Sequence, residues 1–418
     1  MHTLNGAWLS LWRPEQTQKR LQVGFHTGDG QGFPGERMNI ELRGNLMEKT
    51  QIGLLGFGTV GQGVLQILQS REDLHIAKVL VRHLENYQGV KAPLTDNADE
   101  ILSDPDIDVV VEVMGGLHPA FDFITRALEQ RKSVVTANKA VVARYGPELL
   151  ALAREVRQSF LFEASVGGGI PVLDALANHL STVPIHSVEG VVNGTTNFIL
   201  DQMDQGMSFA QALERAQRLG FAEQDPSADI DGWDSARKLT ILAGLAFHSW
   251  VAAEDGVVEG ISRVDASHIH RMREMGLGLR LVARAERHPD SIGFVVAPAA
   301  YPLSHRYLAL HGSQNAVGFL SEAGATWLEG PGAGGVATAT SIVSDIQRIR
   351  RSVPDREPIT LLPSFVDSVD DTYVVFMHDP ERPLPEVPHI LRSGPGFMVV
   401  PHKLAELEGM VQYRYRAK

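Results

Sequence analysis

Short apolar runs alternate with longer amphipathic segments through the first third of the chain. Residues 51–55 (QIGLL), 77–81 (AKVLV), 109–113 (VVVEV) and 134–135 read as buried strands, and the segment after the first of them carries apolar positions at helical spacing. Strands and helices in alternation imply a parallel sheet with right-handed crossovers. The fold class expected is therefore α/β, a Rossmann-type doubly wound sheet. Between residues 180 and 329 the pattern changes. Strands are expected at 187–192, 292–296 and 325–328 and helices at 209–219, 235–247 and 266–279, an α+β layer whose sheet can pair across a two-fold axis. Beyond residue 350, residues 372–377 (TYVVFM) read as a strand, 384–391 as a short helix, and GPGFMVV and GMVQYRYRAK as two further strands.

Composition narrows the chemistry. The 418 residues, 44% hydrophobic and 21% charged, suffice for two or more cores. The absence of cysteine excludes thiol catalysis, disulfides and cysteine-ligated zinc, and with them aldehyde oxidation through a thiohemiacetal. The 16 histidines form no HExxH pair. A net charge of −12 without a basic block argues against a nucleic-acid partner. No apolar run is long enough to span a membrane and no signal-peptide core opens the chain, so a cytoplasmic location is expected.

Two segments carry candidate chemistry. In residues 51–68 (QIGLLGFGTVGQGVLQIL), Gly56, Gly58 and Gly61 form G-x-G-x-x-G directly between a strand and a helix. There glycine backbones can approach a pyrophosphate at a helix N-terminus, which makes Gly56, Phe57, Gly58, Thr59, Val60 and Gly61 the candidate dinucleotide loop. About 20 residues beyond the last glycine, an acidic residue would hold the adenosine ribose of NAD. The chain has Arg82 there, which favours a 2′-phosphate and hence NADP, while nearby Glu85 leaves NAD open.

The second segment is residues 216–238 (AQRLGFAEQDPSADIDGWDSARK), where Glu223, Asp225, Asp229, Asp231 and Asp234 gather before Lys238. Gly220 can end one helix, Pro226 interrupts the chain, and Asp231 or Gly232 can open the next. Asp234 and Lys238 then share a helix face, with Glu223, Asp225 and Asp229 in the preceding loop. Such a cluster is costly unless a cation joins it, so these five carboxylates are expected to converge on Lys238 and to hold a cationic, hydroxylated small molecule. The alternative is a solvated acidic loop with an ordinary ion pair.

Together these motifs resemble the homoserine dehydrogenase family over about residues 47–350. Ala216, Gly220, Asp225, Pro226, Asp229, Gly232, Asp234 and Lys238 occupy the fixed positions of its signature. VVTANKA at 134–140, EASVGGGIP at 163–171, VNGTTNFIL at 192–200 and GPGAGG at 330–335 follow in family order. The resemblance implies reversible NAD(P)H-dependent reduction of aspartate 4-semialdehyde to homoserine, in the route to threonine and methionine. It implies Lys238 as proton donor to the aldehyde oxygen, Asp234 as the group that orients it, and Lys139 between cofactor and substrate. By the same resemblance, Glu223 binds the substrate amino group, Asp229 the hydroxyl end, and Thr195 lines the site. Glu163 with Val166, Gly168 and Ile170 corresponds to a site for sodium or potassium. Gly334 approaches the cofactor from the far end of the chain, which makes 335–350 a helix returning to the dinucleotide domain. A homodimer or homotetramer is the implied assembly. Two rival readings are an oxidoreductase acting on another amino-acid aldehyde and a non-enzymatic sensor on the same fold; the sensor sits poorly with the presence of Lys139, Asp234 and Lys238.

The expected domains are 47–179 for the dinucleotide, completed by 330–350, and 180–329 for substrate and dimerisation. Both ends depart from the family. Residues 1–46 are a Gly-rich, polar extension, either a misplaced start ahead of Met47 or a disordered addition. Residues 351–418 are too short for a full regulatory ACT domain, and the turn DPERPL lacks the glycine such domains place beside an effector. They are expected to be a shortened ACT-like α+β remnant or an irregular tail, in which threonine feedback is doubtful.

Overall fold

A computed structural model describes residues 49–351 throughout, and beyond them the strand segments 360–361, 364–365, 372–377, 392–394, 397–400 and 410–415. The extension at 1–46 and the helix expected at 384–391 lie outside the described residues.

The first layer is built from β1 (Thr50–Leu55), α1 (Thr59–Leu68), β2 (Leu74–Leu80), β3 (Leu94–Thr95), α2 (Asp99–Leu102), β4 (Val109–Glu112), α3 (Ala120–Glu129), β5 (Ser133–Thr136), α4 (Lys139–Val156) and β6 (Phe160–Leu161). All strand pairs are parallel, in the order β3-β2-β1-β4-β5-β6. β4 and β5 are buried along their whole length, which is why they read as continuous β-branched runs rather than alternating ones. The strand order reverses between β1 and β4, and in such sheets the crevice at the carboxyl ends of those strands receives the ligand.

The chain continues through α5 (Val172–Ala177), β7 (Ile185–Val191), α6 (Gly194–Asp204), α7 (Phe209–Arg218), α8 (Ser227–Ile230), α9 (Trp233–Phe247), β8 (Ser249–Trp250), β9 (Val257–Val258), α10 (Ala266–Glu274), β10 (Leu277–Arg287), β11 (Ile292–Pro302), β12 (Gln314–Ser321), β13 (Gly324–Pro331) and α11 (Gly335–Arg350). The second sheet runs β13-β12-β7-β10-β11, antiparallel throughout this stretch. The helix expected over 266–279 is too long. α10 stops at Glu274, Gly276 takes φ +77°, and Leu277 begins an 11-residue strand. β10 lies between two neighbours and is buried at nearly every position, so it lacks the alternation that marks a half-exposed strand.

The later strands are β14 (Thr360–Leu361), β15 (Ser364–Phe365), β16 (Thr372–Met377), β17 (Arg392–Gly394), β18 (Phe397–Val400) and β19 (Met410–Tyr415). β19 pairs parallel with β11, and β16, β18 and β17 follow it, so these strands extend the second sheet, while β14 pairs with β8 in a small sheet of its own.

Two contacts place the site. Trp250 is wedged between α4 and α9: a Cβ on Gly146 would lie 2.6 Å from its ring and one on Gly244 2.2 Å. Its indole N–H donates to Ala143 O at 2.9 Å. On the other side of the first sheet α11 packs on α1, so closely that a Cβ on Gly63 would come within 2.5 Å of Gly335 O. Ala339, Ile342, Val343 and Ile346 of α11 belong to the same buried cluster as Ile52, Leu54 and Val64.

Candidate active site

Three helix starts meet where the two layers join. Asn193 follows β7 and caps α6, its Oδ1 accepting from Thr196 N at 2.8 Å. Gly232 opens α9 at φ +88°, a backbone conformation costly for residues with a Cβ, and so sets Asp234 in the first turn. Asn138 caps α4, which makes Lys139 its first residue.

These starts assemble a four-charge cluster. Lys238 Nζ lies 2.7 Å from Asp234 Oδ2, and Lys139 Nζ 3.1 Å from Asp234 Oδ1. The Asp234 side chain is 6% exposed, that of Lys238 12% and that of Lys139 41%, so Lys139 forms the open side of the cluster. Asn193 Nδ2 donates to both Asp229 Oδ1 (2.7 Å) and Asp234 Oδ2 (2.8 Å). Lys238 also donates to Val192 O at 2.6 Å. An ammonium has three protons, so these two bonds leave one for a ligand.

Two carboxylates and two ammonium groups balance in charge. Burial opposes ionisation of Asp234, but Lys238 and Lys139 outweigh it and hold the carboxyl well below its ordinary value. Burial, then the Asp234 charge, push Asp229 above its own. The Asp234 charge raises Lys139, against the opposing effect of burial. The cluster thus contains one fixed anion, one carboxyl that takes a proton more readily, and a lysine held cationic.

The convergence of five carboxylates on Lys238 is not what the structure shows. Glu223, Asp225 and Asp231 are exposed and make no described ion pair with Lys238. Asp225 instead accepts from Ser227 N at 3.1 Å, and Asp229 sits on α8 rather than in a loop. The hydroxyl of Thr195 donates to Phe221 O at 2.6 Å. Asn193, inside VNGTTNFIL but not singled out from it, is the residue that joins buried Asp234 to half-buried Asp229. A capping asparagine after a strand is a common local signal, and nothing in its spacing points to residues some 40 positions later.

The glycine loop has the shape a dinucleotide needs. Gly56 turns at φ +102°, where a Cβ would meet Val113 O at 2.9 Å, and a Cβ on Gly61 would lie 2.6 Å from Gly56 O. Around Gly58 nothing lies within 4 Å of a Cβ position, so its face is open. The three glycines serve turn, approach and packing respectively. Phe57 is buried edge-on against Tyr87, while Thr59 and Val60 begin α1, which has no side-chain cap. Gly334 opens α11 at φ +124°, also without a side-chain cap. Arg82 stands exposed just beyond β2.

Glu163 is 2% exposed, and its carboxylate accepts from Leu173 N (2.8 Å) and Asp174 N (2.6 Å) at the start of α5. Beside it Gly167 and Gly168 turn at φ +77° and +59°. Gly168 O accepts from Ser341 of α11 at 2.6 Å and Ile170 O from Val172 N at 2.8 Å, while Val166 is fully buried. Among the described residues no group of three or more His, Cys, Asp or Glu gathers as metal ligands.

Known proteins resemble this chain in sequence and in fold. The sequence model for the homoserine dehydrogenase NAD-binding domain matches residues 56–163, and that for homoserine dehydrogenase matches residues 171–347. Homoserine dehydrogenase of Bacillus subtilis is 43% identical over 321 residues, 73% of this chain and 74% of that protein. The enzyme of Synechocystis is 41% identical over 72% of this chain and 73% of its own length. Among solved structures, a homoserine dehydrogenase from Thiobacillus denitrificans superposes with a TM-score of 0.80 at 30% identity, covering 88% of this chain and 99% of that one. A hyperthermophilic archaeal homoserine dehydrogenase in complex with NADPH does so with a TM-score of 0.64 at 28% identity, over 74% of this chain and 100% of its own. With the dinucleotide crevice on one side and the balanced Asp234–lysine cluster on the other, this chain belongs to the homoserine dehydrogenase family.

Proposed function

We propose that the four-charge cluster is the catalytic centre and that the enzyme prefers NADP. The observation that carries this reading is Asp234, buried and paired to both lysines at the junction of the two sheets. When bound, the nicotinamide exchanges a hydride with the substrate carbon. Lys238 gives its third proton to the aldehyde oxygen during reduction and takes one back from the hydroxyl of homoserine in the reverse direction. Asp234 fixes the direction of that proton. Lys139, held cationic, stabilises negative charge on the oxygen rather than carrying the proton. Asp229 receives the hydroxyl end, and Glu223 and Thr195 the amino end and backbone of the substrate.

Gly56, Phe57, Gly58, Thr59, Val60, Gly61 and Gly334 would hold the dinucleotide, with Arg82 on the 2′-phosphate of NADP. Glu163 with the carbonyls of Val166, Gly168 and Ile170 is a hard oxygen set that suits sodium or potassium. Residues 47–179 with 330–350 act as the cofactor domain, and 180–329 as the substrate and dimerisation domain of a homodimer. No described helix is long and apolar enough to cross a membrane, and a cytoplasmic enzyme is the reading the sequence favours.

The test is homoserine-dependent reduction of NADP and of NAD, followed at the nicotinamide absorbance band beside Lys238→Ala. A loss of at least roughly 100-fold in the variant is expected, the usual scale of a positioned proton transfer. No reduction of either cofactor by folded protein in monovalent salt refutes the proposal. Arg82→Ala should cost about tenfold in kcat/KM with NADPH, the scale of one charge-assisted hydrogen bond, and leave NADH unaffected.

A further inference from the structure

Glu112 ends β4 with 0% of its surface exposed, and nothing in the reaction above uses it. We propose that Glu112 is a positioning residue that locks the loops following β4 and β5 together and thereby sets Lys139 against Asp234. The inference rests on the catalytic reading of that cluster.

The geometry is a clamp with two arms. On one side Glu112 Oε1 accepts from Met114 N at 2.7 Å and from Gly115 N at 3.4 Å. On the other, Thr136 Oγ1 lies 2.5 Å from Glu112 Oε2 and itself accepts from Asn138 N at 2.9 Å. Asn138 closes the ring, donating from Nδ2 to Gly116 O at 2.7 Å, and caps α4 one residue before Lys139.

The loop after β4 turns on two glycines. Gly115 and Gly116 take φ +79° and +74°, and a Cβ on Gly115 would meet nothing within 4 Å. Yet the same loop sets the floor of the dinucleotide site, since Gly56 packs on Val113 O and Met114. A buried carboxyl is costly unless its lone pairs are used, and here the three donors span both loops. Burial raises its proton affinity, against the opposing hydrogen bonds from Thr136 and the backbone. A neutral acid and a carboxylate both satisfy the clamp, because the hydroxyl of Thr136 can rotate.

The full chain carrying Glu112→Gln, Glu112→Leu or Thr136→Val tests this. Two readouts are needed: kcat and KM for homoserine, and the pH titration of Lys139 in protein reductively methylated with ¹³C, its resonance assigned through Lys139→Arg. Gln keeps an acceptor for the backbone donors and should stay close to wild type. Leu and Val should lower kcat about 10- to 100-fold, the scale of a misplaced catalytic group, with KM for homoserine little changed. In both, Lys139 should titrate at lower pH than in the unaltered protein, because its ion pair with Asp234 loosens. Unchanged kcat and unchanged Lys139 titration in folded Glu112→Leu overturn the proposal. Should that variant fail to fold, the same result in Thr136→Val overturns it. If unaltered protein turns over no homoserine, the catalytic reading fails by itself, and the Lys139 titration still decides the role of Glu112.

Discussion

One amide at position 193 caps a helix with its oxygen and hydrogen-bonds two carboxylates with its nitrogen. The two tasks can be separated. Asn193→Asp keeps a capping oxygen but loses the donor, whereas Asn193→Ala loses both. Both should lose at least about tenfold in kcat/KM, the worth of one hydrogen bond to a charged group. Only Ala should lose a further ~1 kcal/mol of helix-cap stability, read from denaturant unfolding. The depressed Asp234 gives a signed pH prediction. Its contribution to stability is present above the unfolded value of 3.8 and is lost as pH falls below it, so Asp234→Asn should flatten the acid limb of the stability curve. Lys139 works in the opposite sense. Its contribution is full below the ordinary lysine value of 10.5 and is lost as pH rises beyond it. Asp234 and Lys238 were legible because helical spacing places them side by side. The convergence of Glu223, Asp225 and Asp231 on Lys238 itself was over-read, because a run of charges does not say which side chains reach the ammonium.

Among the elements, α4 and α9 carry the two lysines, and the Trp250 ring spaces them. Gly146→Val would drive methyl groups into that ring. It should cost about 1–3 kcal/mol of overpacking in a thermal melt and should weaken turnover along with it. Glycine loops, the α7 stop at Gly220 and the α9 start at Gly232 were readable in the sequence, since each depends on a local backbone requirement. β10 was not. Its Leu, Ala and Arg residues favour helices in isolation, and pairing with β7 and β11 on its two edges overrides that preference.

On the scale of the whole molecule, the parallel order of the first sheet followed from sequence alternation, while the course of the second did not. β12 and the pairing of β19 with β11 join residues far apart in the chain, and no local period encodes such partners. Protein beginning at Met47 should retain full activity. Light scattering on the 418-residue protein should give twice its chain mass of 45.7 kDa, or four times for a tetramer; a monomer would remove the dimer from the reading. The seating of α11 on α1 has a consequence for how the enzyme is made. Synthesis runs from the N-terminus, and the dinucleotide crevice emerges early, but the part of the apolar cluster around α1 and β1 that Ala339, Ile342, Val343 and Ile346 complete stays uncovered until residues 335–350 leave the ribosome. Until then a nascent chain shows bare hydrocarbon where the finished protein seats α11. A message cut short before residue 335 should therefore yield a product with that apolar surface uncovered, open to capture by chaperones and proteases.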